Sequence, residues 1–205
     1  MSELEARGPE EHGRRPARPA RCGMRLLPLT AFVVAAASFA PAAAEIYDNK
    51  SLPIYFRTPE GFPIRPAAVP GYDLVLRINP TGNFPRRAAG EDFLCEISWK
   101  WVPSQQARTQ QWLNDRWTDE VVMTQALGAF TSFMQVKSDQ TFTLEDVVGK
   151  ELIGPMRNES SSVVVISIAN TPRGRVQMLC MLRAAEAEAA LPVLRSIRDT
   201  IRVPK

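Results

Sequence analysis

Cys95 and Cys180 are where covalent chemistry is most legible in this 205-residue chain. In "FLCEISW" the residues Phe93, Cys95, Ile97 and Trp99 alternate onto one face. In "VQMLCML" the residues Val176, Met178, Cys180 and Leu182 do the same. Both thiols therefore sit on apolar strand faces, as two strands lining one core would place them. An oxidising compartment would pair them. The bridge would close a loop of 85 residues, from 95 to 180, and a loop of that length stabilises by about 4–5 kcal/mol through lost unfolded-state entropy. The alternative is two reduced cysteines packed as small hydrophobes. There is no C-x-x-C spacing, so nothing marks a redox-active pair.

The compartment is read from the start of the chain. Arg14, Arg15, Arg18, Arg21 and Arg25 precede an uncharged apolar run from Leu26 to Phe39. Ala42 and Ala44 then place small residues before Glu45. A basic flank, an apolar run and an Ala-x-Ala end predict a secretory signal cut between Ala44 and Glu45. Residues 1–23 have no apolar periodicity and read as a disordered extension, or as sequence upstream of a true start at Met24. Residues 24–44 are the signal, and the mature chain, 205 less 44, has 161 residues. That suits one domain, with residues 45–92 as a Pro-rich arm and first strands and residues 93–205 as its main body. No membrane span is expected after cleavage. The leader removes six basic and four acidic residues, leaving 19 against 18. Near-neutral charge argues against nucleic acid as a partner.

His12 is the only histidine, and it lies in the leader. The mature chain thus cannot build Ser-His-Asp or Cys-His nucleophiles, nor the usual zinc sites. No cofactor or metal is implied. "VVGKELIG" fails as a phosphate loop, because Leu144 and Glu151 stand where Gly and Ser/Thr are needed. Carboxylate chemistry stays open. The acid pairs Glu91-Asp92, Asp119-Glu120 and Glu145-Asp146 fit turns and helix starts better than a cleft.

Recognition chemistry has two candidates. Trp99, Trp101, Trp112 and Trp117 fall within one short stretch. They read either as an aromatic platform for a glycan or peptide or as a strand–helix core junction. An exposed Trp beside Arg108 or Arg116 would favour binding. Arg173 and Arg175 flank a hairpin tip and could meet an anionic partner.

These residues need elements to hold them. "YDLVLRI" and "FLCEISWKW" alternate as strands. A helix is predicted from Pro103 to about Arg116, with Trp112, Leu113 and Trp117 on one flank. A second, capped by Thr118 or Asp119, runs to Thr131, with Val122, Ala126, Ala129 and Phe133 inward and Met123, Leu127 and Phe130 widening the stripe. "FMQVK" and "TFTLEDVVGKELIGPM" read as short strands, with a turn or bulge at Gly149. "SSVVVISIAN", "TPRG" and "RVQMLCMLR" form a long hairpin with Pro172 and Gly174 at its turn. The closing segment from Ala184 to Pro204 is a helix burying Leu191, Leu194, Ile197 and Ile201, with Arg195, Arg198 and Arg202 facing out. The order predicts an α+β fold, an antiparallel sheet flanked by helices.

From Phe93 to Val203 this pattern, with "FTLEDVVGKEL", "TPRGR" and "LPVLRSIRDTI", resembles the PsbP/Mog1-like α-β-α sandwich. The resemblance implies accessory and binding roles and carries over no site residues. The expectation is an exported, periplasmic or secreted accessory protein, non-enzymatic, binding an envelope protein or glycan. A carboxylate-based hydrolase of envelope material and a purely structural envelope protein are the alternatives.

Overall fold

The computed structural model describes residues 43–49 and 54–203, less the side chains of Ala126 and Leu127. The basic flank and apolar run of the leader, and Pro204, lie outside these residues.

Seven strands form one antiparallel sheet. In chain order the strands are β1 (Ile46–Asn49), β2 (Ile54–Arg57), β3 (Ile64–Ala67), β4 (Leu74–Ile78), β5 (Cys95–Trp101), β6 (Ser138–Leu144), β7 (Val147–Met156), β8 (Glu159–Thr171) and β9 (Gly174–Arg183). The large sheet runs β3-β4-β5-β9-β8-β7-β6, and β1 and β2 pair separately. The helices are α1 (Gln110–Asp115), α2 (Glu120–Thr131) and α3 (Ala187–Arg198).

Alternation along the central strands makes two cores. Val165, Val176, Met178, Cys180, Ile97 and Trp99 pack with Ile54 and Phe56 of β2 and Leu194, Ile197 and Ile201 of the C-terminal segment. Val164, Ile166, Ile168 and Leu152 pack on the other face with Trp117, Met123 and Met134. The α-β-α layering expected from the sequence is thus observed. The arm is more ordered than its prolines suggest. Phe56 is fully buried, and Tyr55 exchanges backbone hydrogen bonds with Arg202. Pro66 sits in β3, an edge strand, where a missing donor costs nothing.

Cys95 and Cys180 are bonded, and each is fully buried. They face one another directly across β5 and β9, the pair at the middle of the sheet. Met181 N–H donates to Leu94 O next to them, so the cysteines occupy a non-hydrogen-bonded pair, where side chains approach most closely. Their Cα atoms are 4.0 Å apart.

Several local expectations are corrected. The β6–β7 turn falls at Glu145-Asp146, with Glu145 at φ 56°. Gly149 lies inside β7, opposite Phe142, whose ring would be 2.4 Å from any added Cβ. "FMQVK" is not a named strand, although Gln135 and Lys137 donate to Pro155 O and Ile153 O. In α2 the inward residue is Met123, with Phe130 half-buried, while Phe133 lies past the helix end and is 39% exposed. Apolar residues surround this helix on most sides, so its period does not single out one face. The closing helix ends at Arg198. Arg198 does not face out. It is 8% exposed, stacks over Phe142 and shares buried Glu151 with Arg195.

Candidate functional site

The predicted helix from Pro103 breaks into a 3-10 turn (Pro103–Gln105) and the short α1. Six residues cannot hold a helix by propensity alone. Thr109 caps it, its hydroxyl accepting from Trp112 N–H. Two carboxamides fasten it to the sheet. Gln110 donates to Asn170 O and to Asn114 Oδ1, and Asn114 donates to Asp146 O while accepting from Val148 N–H. That clamp turns Leu113 inward, at 3% exposed, and leaves Trp112 outward, at 41%.

The outward indole has an arginine four residues to either side. The Arg108 and Arg116 guanidiniums lie 4.5 and 5.4 Å from its ring centroid. Such contacts favour a cation through the ring's negative faces and hold each arginine in place. Arg116 is also tied to Asp119 at 2.8 Å. Asp119 in turn accepts from Val121 and Val122 N–H as the N-cap of α2. Arg175 reaches the same depression from β9, its Nε–H donating to Asn170 Oδ1 at 3.1 Å. Together Arg108, Trp112, Arg116, Asn170 and Arg175 line a cavity of about 350 Å³ whose apolar wall is Leu113 and Val122. No acid lines it. Arg108 and Arg175 have no carboxylate partner among the described residues. The groove offers a fixed aromatic edge, an apolar wall and uncompensated guanidinium forks, which suit carboxylates.

The four tryptophans do not form one platform. Trp99 is buried in the core under α3, and Trp117 in the core under α2. Trp101 is 41% exposed but shares the parity of Trp99, so it sits on the opposite sheet face from Arg175. Arg175 joins the groove, whereas Arg173 stays at the exposed hairpin tip. Asn170 and Gln105, which also lines the groove, were not signalled by the sequence. The spacing Arg108–Trp112–Arg116 was a usable signal, since i±4 residues meet on a helix.

The acid pairs fall where turns and caps need them. Asp92 pairs with Arg77, Asp119 caps α2, and Glu145 pairs with Arg202 at 2.9 Å. Among the described residues no three His, Cys, Asp or Glu side chains converge as a metal site. No helix among them is long and apolar enough to cross a membrane. Ala44 is exposed. Glu45 is tied in, its carbonyl accepting from Thr58 N–H and its carboxylate from Ile64 N–H.

The molecule is thus an α-β-α sandwich with an arginine-flanked groove beside its central hairpin. No protein-family model and no curated protein matches the chain. It is similar to the solution structure of cyanobacterial PsbP (CyanoP) from Synechocystis sp. PCC 6803, of the family its sequence pattern resembles. Identity is 13%, with 82% of this chain and 96% of that chain covered, at a TM-score of 0.49. It is also similar to the crystal structure of PA94, a protein of unknown function from Pseudomonas aeruginosa. Identity there is 12%, with 79% of this chain and 97% of that chain covered, at a TM-score of 0.40. At such identities the likeness concerns the fold alone.

Proposed function

We propose that this chain is an exported accessory protein of the bacterial envelope, without catalytic activity of its own, that binds an acidic segment of another envelope protein. The observation that carries this reading is the Trp112 groove, where Arg108 and Arg175 stand uncompensated beside an apolar wall. A segment with one apolar and several acidic side chains would satisfy both halves of it. A glycan is the weaker partner, because guanidiniums already lie over the indole on which a sugar would stack. Export is supported by the leader pattern, by the bonded Cys95–Cys180 pair and by Glu45, the first tied residue among those described, falling just after the Ala-x-Ala end.

The test uses a photo-crosslinking residue at Ser104, on the rim of the groove, in the native host. One acidic partner should be captured there, at a yield that drops in R108Q/R175Q. Equal capture from a crosslinker at Lys137, or no effect of the double substitution, would sink the reading. The intact mass of the recovered protein tests export separately. It should begin at Glu45 and resist thiol alkylation until reduced, whereas a retained leader and free thiols would contradict export.

A further inference from the structure

The opposite end of β9 holds a second basic site, independent of the Trp112 groove. Residues 86–88 take the place beside β9 that β5 leaves when it ends. Ala88 N–H donates to Met181 O, and Arg183 N–H donates to Arg86 O, with Arg87 bridged to Leu182. That register sets Arg86 opposite Arg183, about a hundred residues away in sequence, and the cavity at this end of β9 takes in Arg87 as well. Asn79 is fixed alongside, accepting from Leu94 N–H and donating to Asp92 O. With Asn83 and buried Pro85 these residues line a cavity of about 340 Å³.

The charges do not cancel. Among the described residues Glu186 is the one acid paired in this cluster: it accepts from the backbone N–H and the guanidinium of Arg86, and its charge also acts on Arg183 without bonding to it. Arg87 reaches only the carbonyl of Asp92. Neither Arg87 nor Arg183 makes an ion pair among the described residues. Both are exposed and open to a ligand. A monocarboxylate would engage one guanidinium fork. A phosphoryl group carries up to two charges and three terminal oxygens, enough for two forks and an Asn amide. We infer that this pocket binds a phosphoryl group through Arg87 and Arg183, with Arg86 and Asn79 shaping the wall.

Free phosphate and a phospholipid headgroup share this chemistry, and two arms separate them. The mature protein is titrated with inorganic phosphate at constant ionic strength, following the Asn79 and Asn83 side-chain amides by NMR. It is also sedimented with phosphatidylglycerol or phosphatidylcholine vesicles. The inference expects saturable shifts at those amides and affinity roughly tenfold or more weaker in R87Q/R183Q, the loss of charge-assisted hydrogen bonds. The charge-matched control R65Q/K137Q should bind as wild type. Phosphate binding with sedimentation only on phosphatidylglycerol, lost in R87Q/R183Q, assigns a lipid headgroup. Phosphate binding without sedimentation assigns a soluble phosphate compound. Absent or non-saturating shifts, or equal weakening in both double variants, would overturn the inference.

Discussion

Glu151 is 2% exposed and holds two guanidiniums, Arg195 at 2.6 Å through one carboxylate oxygen and Arg198 through the other. The two arginines are not equivalent. Arg198 is buried and packed on Phe142, whereas the Arg195 side chain is about one third exposed. Removing the acid leaves buried Arg198 with the exposed Asp199 as its carboxylate partner, so Glu151→Ala should cost up to about 3–5 kcal/mol in urea unfolding. Arg195→Gln leaves the inner pair intact and should cost under ~1 kcal/mol. Equal effects would show that burial does not separate the two. Helical spacing alone placed all three arginines of this segment outward. It could not reveal a partner acid 44 residues away, nor that a long side chain can run along the helix to meet it. Glu186 contributes to the pH dependence. The Arg86 backbone N–H, then its guanidinium, hold this carboxyl below its ordinary value of 4.5, against opposing desolvation. Its folded-state pKa is depressed, so its stabilisation is present above 4.5 and is lost as pH falls through the lowered value. Glu186→Gln should therefore flatten the acid limb of the stability curve below about pH 4.5. An unchanged slope would refute that role.

At the scale of elements, the β8–β9 hairpin was legible because its signals are local: alternation on both sides and Pro172 at the turn. The neighbouring hairpin was not. Gly149 advertised a turn, yet its missing side chain makes room for Phe142, and the turn is made by Glu145-Asp146. Gly154 is a second such place. An added Cβ there would lie 1.9 Å from Gln135 O, on the backbone that runs beside β7. Gly154→Ala should destabilise by at least ~1–3 kcal/mol, since backbone must move. Wild-type stability in that variant would mean the neighbouring segment packs loosely. The groove was half legible. The sequence offered Trp112, Arg175 and a condition on Arg108 and Arg116. It concealed that α1 begins only at Gln110 and that two carboxamides fasten it to the sheet with Trp112 outward.

The whole molecule is a sheet tied at its centre and charged at both ends. The bridge joins the central strand β9 to its neighbour β5, so its loss frees the chain between them in the unfolded state. Replacing Cys95 and Cys180 together by Ala should cost up to about 4–5 kcal/mol, seen as a lower denaturant midpoint. A shift under ~1 kcal/mol would mean the unfolded chain gains little freedom. The pairing was readable because two strand patterns each carried one thiol to an apolar face. Arg175 and Arg183 lie eight residues apart on β9, or roughly 27 Å at the rise of an extended strand. The groove and the phosphoryl pocket can therefore be occupied at once by different ligands.

Binding of acidic chain in the Trp112 groove is the step on which the functional reading stands. An NMR titration with an acetylated peptide of alternating glutamate and leucine probes it without any other component of the envelope. The expected result is a saturable shift of the Trp112 indole N–H that weakens with salt. Affinity should fall about tenfold in R108Q/R175Q, because that variant cannot make two charge-assisted hydrogen bonds to the peptide. Shifts that bypass Trp112, or equal affinity in the double variant, would contradict it.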